Sequence, residues 1–174
     1  MPDDSKKDAD KVVKKMEEKA RGRQQFKHNG QLIYEWEQTL DEVHIYIVPP
    51  PGITNPKHDF EIKIEAQHLL VKLRGSADRF LDHDLGGLCC TDESFWMMED
   101  GELHVLLGKA KKAQVWPCVL RGHDALDAYT SEEQNKKIML ERFQEEHPGF
   151  DFSQAEFSGS APEARNFMGG VGYR

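Results

Sequence analysis

The stretch from Glu93 to Gly108, ESFWMMEDGELHVLLG, decides the fold. Phe95 and Met97 alternate with Trp96 and Met98 before the turn, and Leu103, Val105 and Leu107 recur at every second position after it. A period of two belongs to a strand with two different faces. Between the runs lies Glu99-Asp100-Gly101-Glu102, and Asp-Gly supplies the left-handed backbone of a two-residue hairpin. A lone hairpin is marginal in water, so more strands must flank this one.

The same period runs outward. Leu69, Val71 and Leu73 alternate with Leu70, Lys72 and Arg74 up to Gly75. Ile62 and Ile64 alternate with Glu61, Lys63 and Glu65. Val43, Ile45 and Ile47 alternate with His44, Tyr46 and Val48, and the prolines of PPPG at 49–52 stop that run because proline cannot donate to a ladder. Tyr34, Trp36, Gln38 and Leu40 share one further face. Downstream, Val115 to Leu120 reads as a short strand, and Pro117 inside it places it at a sheet edge. Seven short alternating strands predict an all-β fold, an antiparallel seven-stranded β-sandwich over residues 30–122, each sheet with one dry and one wet face.

Different patterns flank this body. Residues 1–28 form a charged arm, expected to be helical or flexible, in which Val12, Val13, Met16 and Ala20 fall at helical spacing. Ser131 followed by Gln134 reads as a capping box opening a C-terminal helix over 130–147, with Ile138, Met139, Leu140 and Phe143 as its apolar residues. His147-Pro148-Gly149 ends it. Residues 148–174 form a flexible polar tail with spaced aromatics, among them Phe150, Phe152 and Phe157.

The chain has 174 residues, with 31% charged, 38% hydrophobic and a formal net charge of −8. Residues 25–130 hold ten basic and seventeen acidic side chains. A body this acidic argues against a phosphate-backbone partner and against an anionic membrane surface. No apolar run approaches the ~20 residues needed to cross a bilayer as a helix. The opening MPDDSKKDAD carries no apolar core of a secretory signal, so a cytoplasmic location is expected. The three cysteines, Cys89, Cys90 and Cys118, are odd in number and two are adjacent, which speaks for free thiols in a reducing compartment.

Catalytic and cofactor signatures are missing from the sequence. Gly108-Lys109 is followed by Ala110, so no phosphate loop GxxxxGK[ST] forms, and no GxSxG occurs. Eight histidines are present, yet none stands in HxxH, HxxxH or a Cys/His pair at zinc spacing. The sharpest cluster is Asp82-His83-Asp84, read as a solvated loop. Neither an enzyme nor a metal or cofactor protein is expected. What remains suits protein binding. Lys63, Lys72 and Arg74 point to the wet side of adjacent strands and make a candidate basic stripe. Trp36, Trp96 and Trp116 lie in separate strands and read first as packing residues, with Trp96 and Trp116 also candidate contacts. Phe143, Phe150, Phe152 and Phe157 complete the candidate set.

Several segments resemble one family. Tyr34-Glu-Trp36-Glu-Gln-Thr-Leu40-Asp-Glu-Val43, His68-Leu-Leu-Val-Lys72-Leu-Arg-Gly75 and Glu93-Ser-Phe-Trp96-Met-Met-Glu-Asp100-Gly101-Glu-Leu103 resemble the CS domain in its NudC version. His147-Pro148 and Phe152-Ser153-Gln154-Ala155-Glu156-Phe157 resemble the helix and tail that follow it. Trp116-Pro117 is similar to the "WPRL" strand of the small co-chaperones of heat-shock protein 90, with Cys118-Val119 in place of the last two residues. The resemblance implies a co-chaperone-like sandwich with no active site. It implies an ATP-independent chaperone or co-chaperone for unfolded or partly folded clients, working with heat-shock protein 90. The alternative it implies is a non-chaperone adaptor in dynein-linked nuclear migration, acting through a WD-repeat regulator. A weak homodimer through residues 5–24 stays open.

Overall fold

Tyr34, Trp36 and Gln38 are buried while Glu35 and Glu37 between them are not, and the same alternation in the neighbouring strands builds the fold. A computed structural model describes residues 22–149. Eight strands appear among them: β1 (Gln24–His28), β2 (Gln31–Gln38), β3 (Glu42–Ile47), β4 (Phe60–Glu65), β5 (His68–Leu73), β6 (Arg79–Asp84), β7 (Cys89–Glu99) and β8 (Glu102–Lys109). A short helical turn, α1 (Pro56–Asp59), precedes β4, and α2 (Ala128–Glu146) follows the strands. The strands form a five-stranded sheet, order β1-β2-β3-β8-β7, and a three-stranded sheet, order β4-β5-β6, with antiparallel pairing throughout.

The deciding hairpin is β7–β8. Glu99 pairs with Glu102 around Asp100 (φ 51°) and Gly101 (φ 79°), the left-handed pair that Asp-Gly allows. Its register sets Trp96 against Val105 on the inner face, and Phe95 against Leu106 and Met97 against His104 on the outer face. Ile45, Leu69, Leu81, Val105, Leu107 and Trp116, all within 1% of full burial, form the centre of the core between the sheets. Each such aliphatic side chain contributes roughly 1.5–3 kcal/mol through its removal from water.

The antiparallel sandwich with a C-terminal helix is as expected, but its strand inventory differs. Two strands escaped the sequence reading. β1 lies within the stretch taken as an arm, and Asn29-Gly30 (φ 51° and 77°) turns it into β2. β6 contains Asp82-His83-Asp84, which is strand and not loop. Conversely, Val115–Leu120 is no strand. Its one strand-type pairing among the described residues is a single bridge, Leu120 to Leu85, and Trp116 N–H donates to a side chain, Gln38 Oε1, at 2.9 Å. Pro117 next to it has no N–H to give.

That segment is held by a buried cation. Lys109, 4% exposed, donates from Nζ to Gln38 Oε1 (3.1 Å) and to the carbonyls of Thr39 and Gln114 (2.7 Å each). Gln38 Nε2 donates in turn to the carbonyl of Trp116 at 3.1 Å. Burial pushes the Lys109 pKa down to about 8, against the opposing pull of Glu141 and Asp41.

The helix begins earlier than expected. Its N-cap is Asp127, which accepts from Thr130 N–H (2.8 Å) and from the Thr130 hydroxyl (2.8 Å); Ser131 is already inside the helix, so the expected capping box is not used. Ile138 is its one buried residue, and Glu141 Oε2 accepts from Leu40 N–H at 2.8 Å. No helix among the described residues is long and apolar enough to cross a membrane. The Val12–Ala20 pattern and the tail from Phe150 onward lie outside the described residues.

Candidate protein-interaction groove

β1 ends one sheet and β6 ends the other. Side chains of these two end strands line an open groove of about 710 Å³. Phe26 and His28 come from β1, Ile33 from β2, Phe80, Leu81 and His83 from β6, and Gly122 and His123 from the loop after Leu120. The walls are mainly apolar and aromatic. Phe80 is 47% exposed, a large apolar surface left facing water.

A stack of rings forms one wall. His123 lies flat on Phe26, with centroids 4.0 Å apart and planes 4° apart. Phe26 stacks on Tyr34 at 5.1 Å, and His83 meets His123 edge-on at 4.4 Å. The Tyr34 hydroxyl is hydrogen-bonded to His123 Nδ1 at 2.8 Å. Burial, then the neighbouring His83, push the His123 imidazole below its ordinary pKa, so it stays neutral near pH 7 and stacks without desolvating a charge. Burial holds the Tyr34 phenol well above its usual range.

One backbone edge borders the groove. Within β6, Arg79–His83 pairs with β5 on one side, and β6 is the last strand of its sheet on the other. Among the described residues only its end is covered, where Arg121 N–H donates to Asp84 O at 2.8 Å and Leu85 bridges Leu120. An extended peptide laid along such an edge gains ladder hydrogen bonds, and the groove beside it takes alternate side chains.

The sequence-nominated residues that lie among the described ones do not converge on one surface. Lys63, Lys72 and Arg74 do lie on the outer side of β4 and β5, yet they make no basic stripe. Glu61 sits between, 3.1 Å from Lys72 Nζ and 3.9 Å from Lys63 Nζ, and Lys72 first of all holds its carboxyl below the usual range. Along the same side His68 is gripped by Asp82 (2.7 Å) and Asp84 (2.8 Å), and Arg79 pairs with Asp82. Trp96 is half-buried and points inward, meeting Phe60 edge-on at 6.5 Å. Trp116 is 0% exposed, a core residue and not a contact. Phe143 lies half-buried on α2 with His147 at 6.4 Å. Phe150, Phe152 and Phe157 lie outside the described residues. Among the described residues no group of three or more His, Cys, Asp or Glu is arranged to hold a metal ion. Cys89, Cys90 and Cys118 are free thiols, and burial raises the pKa of Cys89 and Cys118.

The groove residues Phe26, Phe80, His83 and His123 were missed. Two signals pointed to them: Asn29-Gly30, a hairpin dipeptide that makes Gln24–His28 a strand, and the alternation Phe80/Leu81/Asp82 behind the turn at Ser76–Asp78.

The family described as CS domain matches residues 32–109. NudC domain-containing protein 2 of Homo sapiens is 35% identical over 129 residues, covering 72% of this chain and 80% of that protein. Nuclear movement protein nudc of Schizosaccharomyces pombe is 27% identical over 158 residues, covering 69% of this chain and 90% of that protein. Among solved structures, NudC domain-containing protein 2 of Mus musculus aligns over 75% of this chain and 97% of its own, at 26% identity and a TM-score of 0.36. With more than a third of its aligned residues shared with a relative most of whose length it spans, and with the CS domain at its centre, this chain belongs to the NudC family.

Proposed function

We propose that this chain is an ATP-independent chaperone or co-chaperone that holds extended apolar segments of unfolded or partly folded proteins in the groove between β1 and β6. One observation carries the reading: an open apolar groove, with Phe80 facing water, lies alongside a strand edge free to pair. Apolar pockets supply affinity for any sequence with hydrophobic side chains, and the edge reads only backbone, so the site favours unfolded chains over one folded shape. Heat-shock protein 90 is the expected collaborating partner, with the cytoplasm as the place of action. A binding role without catalysis fits this arrangement.

A relative named nuclear movement protein favours a second reading, a role in nuclear movement; we propose for it an adaptor in dynein-linked nuclear migration that binds a folded WD-repeat regulator. Light scattering from a heat-aggregating model protein separates the two. Near-stoichiometric suppression without ATP supports the holdase. No suppression, with capture of a folded WD-repeat partner, supports the adaptor.

A further inference from the structure

The chain itself already uses the outer edge of β6 once. Val119–Arg121 lies antiparallel along the end of that edge: Gly86 N–H donates to Val119 O at 2.9 Å, Arg121 N–H donates to Asp84 O at 2.8 Å, and Leu120 bridges Leu85 between them. There the ladder stops. Gly122 (φ 87°) turns the chain away, and His123 N–H donates back to Leu120 O at 3.3 Å instead of onward to β6.

These bonds fix what the next stretch of edge offers. Asp84 turns its carbonyl outward, whereas Leu85 turns its N–H the other way, to Gln67 O at 2.7 Å. Direction alternates along a strand, so the N–H and C=O of Asp82 also point outward and those of Leu81 and His83 point to β5. Among the described residues nothing pairs with the Asp82 backbone on its outward side. Side chains alternate between the faces. Pairing with the buried Val71 and Leu69 puts Leu81 and His83 on the inner face, where both line the groove. Asp82, opposite Leu70, sits on the outer face with His68 and Arg79.

We propose that the occupant of this groove is a single extended strand that takes up the ladder where Gly122 leaves it, antiparallel to β6 and anchored on the Asp82 N–H and carbonyl. This rests on the groove reading above and narrows its client class. The client residue facing Asp82 carries its side chain on the outer, wet face. The residues on either side of it, level with Leu81 and His83, place their side chains in the groove among Phe26, Ile33, Phe80 and His123. The clients are therefore segments with apolar side chains at every second position, strands that have not yet found their own sheet, and not amphipathic helices.

The test gives the full chain two fluorescent synthetic peptides of one composition, one with leucine at every second position and one with its leucines at helical spacing, read by anisotropy. The alternating peptide binds about tenfold more tightly. N-methylation of the polar residues between its leucines removes the donors to the Asp82 carbonyl and weakens binding about tenfold; N-methylation of the leucines, whose N–H groups point away from β6, does not. On the protein side, Asp82→Pro binds the alternating peptide about tenfold more weakly than Asp82→Ala. Both variants lose the ion pairs to His68 and Arg79, and only proline removes the N–H, at an edge position where proline is tolerated. Should Asp82→Pro not fold, the N-methylated peptides decide alone. Equal affinity for the two spacings, or N-methylation tolerated between the leucines, overturns the strand and leaves the groove as an apolar site. Sensitivity at the leucines instead means a parallel strand and overturns the proposal too. No binding of either peptide, with groove signals unmoved by an unfolded protein, overturns the groove reading as well.

Discussion

The Tyr34 hydroxyl and His123 Nδ1 are hydrogen-bonded at 2.8 Å across 89 positions of sequence, and this bond joins the core to the groove wall. Tyr34 is 2% exposed and belongs to the core; His123 lines the groove. Tyr34→Phe keeps the ring and removes the bond, leaving Nδ1 without its partner. It should cost about 1 kcal/mol, read as a lower urea midpoint with an unchanged slope. A larger loss should follow in client binding, because His123 then no longer holds its flat stack on Phe26.

Stability should depend on pH in two opposing ways. His104 and His123 have lowered pKa values, each chiefly through burial. The unfolded imidazole titrates near 6.5, so their contribution is full above that pH and is lost as pH falls through their lowered folded values. His68 is raised, first by Asp84 and then by Asp82. Its contribution is full below about 6.5 and is lost as pH rises through its raised folded value. Urea midpoints between about pH 5 and 8 check this. His123→Gln should flatten the acid side of the profile and His68→Gln the neutral side.

Lys109→Met should destabilise strongly. It leaves the carbonyls of Thr39 and Gln114 without their donor inside a closed region and frees the segment carrying Trp116. A loss of about 3 kcal/mol is expected by chemical denaturation. Lys109→Arg should fail to rescue, since a planar fork does not fit three acceptors gathered around one nitrogen.

Gly87→Ala tests the packing under Trp116. An added Cβ would lie 2.4 Å from the indole, and Trp116 is fully buried with no room to retreat. Overpacking of this kind costs roughly 1–3 kcal/mol, visible as a reduced melting temperature.

The core hairpin was legible in the sequence because Trp96/Met98 and Leu103/Val105/Leu107 carry both the period and the turn. β3, β4 and β5 were legible for the same reason. β6 was not, because Arg79-Phe80-Leu81-Asp82-His83-Asp84 buries only Leu81 and shows its other side chains to solvent or the groove. β1 likewise has no fully buried residue, so hydrophobic alternation barely registers there. Both are sheet-end strands, and end strands bury less. That is why the groove they border escaped a reading built on buried faces. The basic stripe failed for the opposite reason: Lys63 and Lys72 were placed on the right face, but the cross-strand pairing of Lys72 with Glu61 exists only in three dimensions. The helix start moved from Ser131 to Asp127 because both residues are good caps, and local sequence does not choose between them.

The most direct measurement is an NMR titration of the full chain with a reduced, alkylated, permanently unfolded protein, repeated with Phe80→Ser. Phe80 is half exposed, so this change leaves the core intact. The groove account predicts that signals of Phe26, Leu81, His83, Gly122 and His123 move, and that Phe80→Ser weakens binding about tenfold, the loss of roughly 1.4 kcal/mol of apolar contact. Shifts confined to Lys63, Lys72 and Arg74, or equal binding by the Phe80→Ser variant, would contradict it.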